Sequence, residues 1–188
     1  MGDGLWDLFP DGPRFGGATA NYACHASILG GEVFMVSGVG KDDRGQALLE
    51  VYQKHGVNTE LIQELDDFPS GIVTVELTEN GLPTFTIGEN AAWDNWVWND
   101  EIEQKVESAD ALYFGTLGQR GKSARDGIRK ALEIAKAFRI PRILDINLRA
   151  PFYDDILIRE SIALCSVLKL SDEELEPVAK ACEVNSSI

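Results

Sequence analysis

The sequence is poor in cysteine and has no long apolar segment. Its three cysteines, Cys24, Cys165 and Cys182, show no paired CxxC spacing, which argues against a disulfide framework and a structural zinc site. No run of about 18 apolar residues occurs, and the segment after Met1 lacks the basic and then apolar stretches of a signal peptide. We therefore expect reduced thiols, no membrane span and a cytoplasmic location.

Basic residues are also scarce. The 188 residues include 31 acidic and 17 basic side chains, which gives a net charge of -14. Because phosphate backbones bind basic surfaces, this balance argues against general nucleic-acid binding. The acidic charge balance does not exclude a nucleotide ligand, because Mg2+, a few amides and a few basic side chains can offset the overall charge around one small anion.

Two common catalytic patterns are missing. Residues 38–42 (GVGKD) lack the Gly-Lys-Ser/Thr ending of a Walker loop. His25 and His55 have no Ser or Cys partner pattern around them, so both are expected to be structural or exposed to solvent. Neither a Walker-type phosphate site nor a histidine-activated nucleophile is therefore predicted.

The residues that are present predict an α/β protein. With 44% hydrophobic and 26% charged residues, the chain can bury the core of one globular domain. Because predicted strands alternate with predicted helices, we expect a largely parallel sheet covered on both faces. The strands are predicted at residues 5–9, 33–39, 111–114, 142–146 and 164–170, and the helices at residues 18–29, 42–55, 123–138, 154–164 and 172–182.

A hairpin interrupts this alternation. Residues 72–77 and 83–87 have a period of two, which places Val73, Val75 and Leu77 on one face. Asn80 and Gly81 between them supply the positive φ values of a tight turn. The apolar face needs cover, so the hairpin is predicted to pack over the main sheet or against a second subunit.

Five segments, in order, resemble the ribokinase/PfkB family of carbohydrate kinases: residues 5–10 (LWDLFP), 16–23 (GGATANYA), 109–120 (ADALYFGTLGQR), 144–149 (LDINLR) and 167–175 (VLKLSDEEL). The resemblance implies a ribokinase-like three-layer α/β sandwich with a small antiparallel β lid. Residues 1–188 would form one incomplete domain of this kind. The hairpin, within about residues 68–98, would be the sugar-covering lid and a possible homodimer interface.

The resemblance assigns sugar binding to Asp7, Gly16, Gly17 and Asn21. Asp7 can accept from two hydroxyls, Asn21 can donate and accept, and the glycine pair lets the backbone approach the sugar ring. Simpler interpretations are a solvent-facing strand-end carboxylate, a helix cap and an ordinary turn. Trp93 is a further candidate, because aromatic faces pack on sugar rings, although clustered tryptophans more often fill core or interface space.

On the phosphate side, the resemblance places Asn147 and Arg149 near the transferred phosphate of ATP, and Lys169 and Glu174 where nucleotide phosphates and Mg2+ are organised. Arg149 could stabilise the transition state through the equatorial oxygens, and Glu174 could hold a magnesium-bound water. Ser171 stands where many family members have Asn, so the metal is expected to be positioned differently. The simpler interpretation of residues 172–174 is a charged helix start.

The function implied is transfer of the ATP γ-phosphoryl group to a sugar hydroxyl, with fructose as the first expectation because residues 5–7 (LWD) and 114–117 (FGTL) resemble fructokinases. No Gly-Ala-Gly-Asp motif, which carries the family's catalytic aspartate, occurs in residues 1–188. The sequence is therefore interpreted as a fragment whose catalytic aspartate lies beyond its end. A catalytically inactive sugar-binding or dimerising remnant, and a nucleoside kinase of the same fold, remain alternatives.

Overall fold

The computed structural model describes residues 1–77 and 83–184, and the chain divides into two compact units. The N-terminal unit is residues 3–96, and the C-terminal unit is residues 97–188 together with Met1 and Gly2. The predicted turn at Asn80 and Gly81 lies outside the described residues. Among the described residues, no helix is long and apolar enough to cross a membrane. The prediction of a single domain stays a prediction.

The N-terminal unit combines a mixed four-stranded sheet with a parallel strand pair. The sheet has the order β2-β1-β5-β6, with β1 antiparallel to β2 and parallel to β5, and β5 antiparallel to β6. Strands β3 and β4 pair in parallel. The elements are β1 (Leu5–Phe9), β2 (Gly12–Gly16), α1 (Ala18–Ile28), β3 (Ser37–Gly40), α2 (Asp43–Lys54), β4 (Ile62–Leu65), β5 (Gly71–Leu77) and β6 (Pro83–Ile87).

The predicted hairpin strands are confirmed, and Val73 and Val75 are buried beside Leu5 of β1. The strand predicted at residues 33–39 is wrong in extent, because Phe34 makes only an isolated bridge to Asn58 before β3 begins. Strands β2 and β4 were not predicted. β2 reads Gly-Pro-Arg-Phe-Gly and lacks an apolar alternation, so its pairing depends on β1 across a two-residue turn.

Helices α1 and α2 cover the core of the N-terminal unit. Phe15 of β2 packs edge-on against Tyr52, with 5.5 Å between ring centroids. The Tyr52 hydroxyl is fully buried and has no hydrogen-bond partner among the described residues. Burial raises the pKa of Tyr52 well above its ordinary value. The buried residues of this core are Ala20, Ala23, Cys24, Met35, Val39, Leu48, Tyr52, Val57 and Ile62.

Asp42 connects three elements of the N-terminal unit. Its Oδ1 accepts the Gly45 amide at the start of α2 (2.7 Å), and its Oδ2 accepts the Ser70 amide that precedes β5 (2.9 Å). The Ser70 hydroxyl in turn accepts the Gly40 amide at the end of β3 (3.0 Å). Partial burial acts to raise the pKa of Asp42, but the hydrogen bonds from Ser70 and Gly45 outweigh it and lower the pKa.

The C-terminal unit is built on three parallel strands in the order β7-β8-β9. These strands and α4, α5 and α6 confirm the predicted alternation, whereas α3 was not predicted. Helix α4, predicted at residues 123–138, begins at Lys122, after Gly121, without a side-chain cap. The elements are α3 (Asp100–Glu107), β7 (Leu112–Gly115), α4 (Lys122–Ala137), β8 (Arg142–Asp145), α5 (Asp155–Leu164), β9 (Val167–Lys169) and α6 (Asp172–Ala181).

The carboxyl ends of β7, β8 and β9 lie at one edge of this sheet, because all three strands run in the same direction. The strands are held by a core of fully buried side chains, Phe114, Ile128, Leu132, Leu144, Ile146 and Ile158. In α/β proteins, ligands bind at the carboxyl ends of parallel strands. A ligand site of the C-terminal unit is therefore expected at this edge.

The expectation of reduced thiols agrees with the structure, in which Cys24, Cys165 and Cys182 are free. Only Cys24 is fully buried. Burial raises the pKa of Cys24 and of Cys165, so neither is activated as a thiolate.

Asp42→Asn is expected to lower the free energy of unfolding at pH 7 by about 1 kcal/mol, because it removes the charge from a helix cap. The pKa of Asp42 is lower in the folded chain than the unfolded value of about 3.9. Its contribution is therefore complete above the unfolded pKa and is lost as the pH falls through the folded pKa. Urea unfolding of both proteins between pH 3 and 8 measures the difference; a difference that stays constant with pH contradicts this role.

Tyr52→Phe is expected to raise the free energy of unfolding by about 1 kcal/mol, because it keeps the ring and removes a buried hydroxyl that has no partner in the part of the chain that the structure describes. The matched control is Tyr22→Phe, at a partly exposed position of α1. Thermal unfolding monitored by circular dichroism reports both changes. A clear loss of stability in Tyr52→Phe would show that the hydroxyl makes a favourable bond in solution.

Candidate functional site

The first candidate region lies in the N-terminal unit, on β1, the end of β2 and the start of α1. Its residues are Asp7, Gly16, Gly17 and Asn21. Asp7 is in the middle of β1 and is partly buried, so the interpretation as a solvent-facing strand-end carboxylate does not hold. A Cβ added to Gly16 would overlap Asp7 Oδ2. The Asp7 carboxylate therefore lies against the backbone of Gly16.

Position 17 needs a glycine because its backbone conformation and its closeness to Asp3 leave no room for a side chain. Gly17 has φ of 102°, which L side chains rarely adopt, and a Cβ there would lie 2.7 Å from the Asp3 carbonyl oxygen. The Asp3 carboxylate accepts the Ala18 amide (2.8 Å) and the Thr19 hydroxyl (3.0 Å) at the start of α1. Asp3, which the sequence interpretation missed, fixes the turn that carries the candidate residues.

Asn21 is exposed on the first turns of α1. The backbone amide of Asn21 donates to the Gly17 carbonyl (2.9 Å), as amides inside a helix do. The N-cap residue of α1 is Gly17. The interpretation of Asn21 as a helix cap is therefore wrong. Its side-chain amide keeps both donor and acceptor groups at the surface.

Trp93 is completely buried in the N-terminal unit. Gly71 of β5 makes room for it, because a Cβ there would lie 2.5 Å from Trp93 Nε1. The neighbouring Asp94 is also buried, and its Oδ2 accepts the Ala91 amide (3.1 Å). Without exposed surface, Trp93 has a packing role here, and this burial argues against the predicted contact with a substrate.

The second candidate region lies at the carboxyl ends of β8 and β9 in the C-terminal unit. Asn147 and Arg149 follow β8, Lys169 is the last residue of β9, and Glu174 is in the first turn of α6. Asn147 has φ of 37°, a conformation that Asn tolerates better than most residues. Arg149 is exposed, and its guanidinium donates to the Leu148 carbonyl (3.0 Å).

The segment that carries Asn147 and Arg149 is held from three sides. The Ile146 amide donates to the Lys169 carbonyl (3.0 Å), and the Thr116 hydroxyl donates to the Ile146 carbonyl (2.6 Å). Glu174 Oε1 accepts the Leu148 amide (2.7 Å). Residues 146–149, called the anchored loop below, are thus tied to β9, to the residue after β7 and to α6.

Glu174 uses both carboxylate oxygens within the structure. In addition to the Leu148 amide, its Oε2 accepts the Ser171 amide at the start of α6 (2.8 Å). Among residues 1–77 and 83–184, no group of three or more His, Cys, Asp or Glu side chains could hold a metal ion. The metal role of Glu174 stays a prediction.

Asp145, the last residue of β8, forms an ion pair that the sequence interpretation missed. Its Oδ2 accepts the Lys169 ammonium (2.8 Å) and the Tyr113 hydroxyl (2.6 Å). The Asp145 side chain is 10% exposed and that of Lys169 is 66% exposed. The sequence feature that could have pointed to this ion pair is the aspartate at the end of a predicted buried parallel strand.

Comparison with known proteins assigns the family. Residues 12–188 match the pfkB family of carbohydrate kinases. The chain is 31% identical to the aminoimidazole riboside kinase of Salmonella typhimurium, with 93% of this chain and 58% of the relative aligned. It is 29% identical to a fructokinase of Solanum tuberosum, with 86% of this chain and 49% of the relative aligned.

Solved structures agree with the sequence matches. An uncharacterized sugar kinase from Pyrococcus horikoshii superimposes with a TM-score of 0.87 and 28% identity, covering 97% of this chain and 65% of the other. The fructokinase from Xylella fastidiosa, at 22% identity, shares the fold with a TM-score of 0.86, covering 98% of this chain and 62% of the other.

These matches confirm the predicted ribokinase-like α/β fold class. The chain spans about half the length of the curated relatives it matches, between 49% and 58% for the two named above. With residues 12–188 matched, the chain belongs to the pfkB family of carbohydrate kinases.

Proposed function

We propose that this chain binds the sugar acceptor and the ATP phosphates of an ATP-dependent carbohydrate kinase, with a ketose such as fructose as the acceptor. The observation that supports it most is the anchored loop, which presents Asn147 and Arg149 at the carboxyl end of β8, next to Lys169 at the end of β9. The crystal structures of the Pyrococcus horikoshii kinase and of the Xylella fastidiosa fructokinase include complexes with ATP, which supports the same ligand here.

Phosphoryl transfer requires positioned charges more than covalent chemistry from the protein. The guanidinium of Arg149 can donate two parallel hydrogen bonds to phosphate oxygens, and Lys169 supplies a compact charge. Asn147 can donate its side-chain amide to an oxygen between them. Mg2+ bound with ATP would neutralise part of the phosphate charge. Because the anchored loop is held by hydrogen bonds, Asn147 and Arg149 would need little reorganisation as charge spreads over the transferred group.

Acceptor binding in this proposal falls to Asp7 and Asn21. The Asp7 carboxylate, for which Gly16 leaves room, would accept from two neighbouring sugar hydroxyls. Fructose is favoured by the fructokinase relatives. The 31% identity to aminoimidazole riboside kinase supports a second candidate, a ribonucleoside acceptor held by the same two side chains.

The proposal extends to partner and location. Strand β6 is an edge strand of the mixed sheet, and its Phe85 is exposed. Burial of this edge in a homodimer would satisfy its backbone groups and cover the ring. Because the net charge is -14, we expect no nucleic-acid partner. The proposed compartment is the cytoplasm.

Asp7→Asn is expected to weaken sugar binding about tenfold or more, because a carboxylate that accepts two hydroxyls becomes a group with one acceptor oxygen. Isothermal titration of the chain with fructose and, separately, with aminoimidazole riboside measures the change and ranks the two acceptors. The control is Asp11→Asn, an exposed acid of the same β1–β2 turn that pairs with Arg14. Equal affinities of the wild type and Asp7→Asn for both ligands would refute the acceptor site.

A further inference from the structure

We propose that Asp145 is a positioning residue, which holds the Lys169 ammonium at the carboxyl end of β9 so that two of its three N–H groups face a bound polyphosphate. This inference rests on the phosphate site proposed above. It assigns to Asp145 a role in nucleotide binding that acts through Lys169, without direct contact between the carboxylate and the nucleotide.

The geometry supports a fixed acceptor and a flexible donor. Asp145 closes β8, its side chain is 10% exposed, and the Tyr113 hydroxyl from the neighbouring strand β7 donates to its Oδ2 at 2.6 Å. Lys169 donates to the same oxygen at 2.8 Å, although 66% of its side chain is exposed. The buried carboxylate is thus the immobile partner, and the lysine is the group that it orders.

Energetic reasons keep the lysine in place when an anion binds. If Lys169 left Asp145, the nearly buried carboxylate would keep the Tyr113 hydroxyl but lose its charged partner, which is unfavourable at low exposure. An ammonium has three donors, and only one is used by Asp145. A phosphate can therefore bind the other two without breaking the ion pair. Ordering the lysine beforehand removes part of the entropy that binding would otherwise cost.

The direction in which Asp145→Asn changes the affinity for polyphosphate distinguishes a positioning role from a purely electrostatic effect. Asp145→Asn removes a negative charge beside an anion site, so electrostatics alone predicts tighter polyphosphate binding. Loss of positioning predicts weaker binding, because Lys169 then samples many rotamers. We expect the second effect to prevail and binding to weaken about fivefold.

The test is a double-mutant cycle with Asp145→Asn and Lys169→Met, in which binding of inorganic tripolyphosphate and of ATP to the chain is measured by isothermal titration. Asp145→Asn should weaken binding about fivefold when Lys169 is present, but change it less than about twofold when residue 169 is already substituted. The matched control is Asp126→Asn, which breaks an exposed ion pair with Lys122 on α4. It should leave binding unchanged.

The outcomes distinguish the two proposals. If the wild type binds neither tripolyphosphate nor ATP, the proposed phosphate site fails, and the role of Asp145 fails with it. If the wild type binds and Lys169→Met weakens binding, but Asp145→Asn does not, only the role of Asp145 is overturned. An equal effect of Asp145→Asn with and without Lys169 would show a merely structural role.

A measurement on the wild type keeps the inference testable if Asp145→Asn does not fold. In a crystal structure of the chain with pyrophosphate, Lys169 Nζ should lie within hydrogen-bond distance of both Asp145 Oδ2 and a phosphate oxygen. A lysine that has moved away from Asp145 to reach the phosphate overturns the proposal.

Discussion

The proposed phosphate site depends on the two hydrogen bonds that the Glu174 carboxylate accepts. One oxygen accepts the Leu148 amide and the other accepts the Ser171 amide, so a single side chain fixes the anchored loop to the start of α6. The acid satisfies two backbone donors that would otherwise need other partners. It thereby connects the end of β8, where Asn147 and Arg149 lie, with the end of β9, where Lys169 lies.

The N-terminal unit uses a comparable device. Asp3 accepts the first amide of α1 and the Thr19 hydroxyl, which fixes Gly17 in a conformation that other residues rarely adopt. Gly16 in turn leaves room for the carboxylate of Asp7. In both units, an acid that bonds to backbone amides sets the geometry of a candidate ligand-binding region. These two devices would hold the backbone segments that carry the proposed binding residues in place before a ligand arrives.

The sequence was sufficient for the elements whose pattern is local. Strands β7 and β8 are short apolar runs, as buried parallel strands are, and helices α2 and α5 begin after aspartates that cap them. Strand β2 could not be predicted, because it contains Gly and Pro and forms only by pairing with β1. The burial of Trp93 could not be predicted, because Gly71, which makes room for the indole, is distant in the sequence.

The Asp145 network could not be predicted for a related reason. Asp145 contacts Lys169 and Tyr113, which are 24 and 32 positions away, and only the strand order β7-β8-β9 brings the three together. The family resemblance identified the loop and its cations, but spacing along the chain does not report which carboxylate orients a lysine. Such pairings follow from the parallel register of the sheet.

The most direct measurement of the central claim is a two-step NMR titration of the isotope-labelled 20.6 kDa chain, first with fructose and then with a non-hydrolysable ATP analogue. We expect fructose to shift the amide signals of Asp7 and of residues 16–21. The ATP analogue should shift those of the anchored loop and Lys169. If either ligand leaves its expected group unchanged and shifts signals elsewhere, the assignment of sugar binding to the first group or of phosphate binding to the second is contradicted.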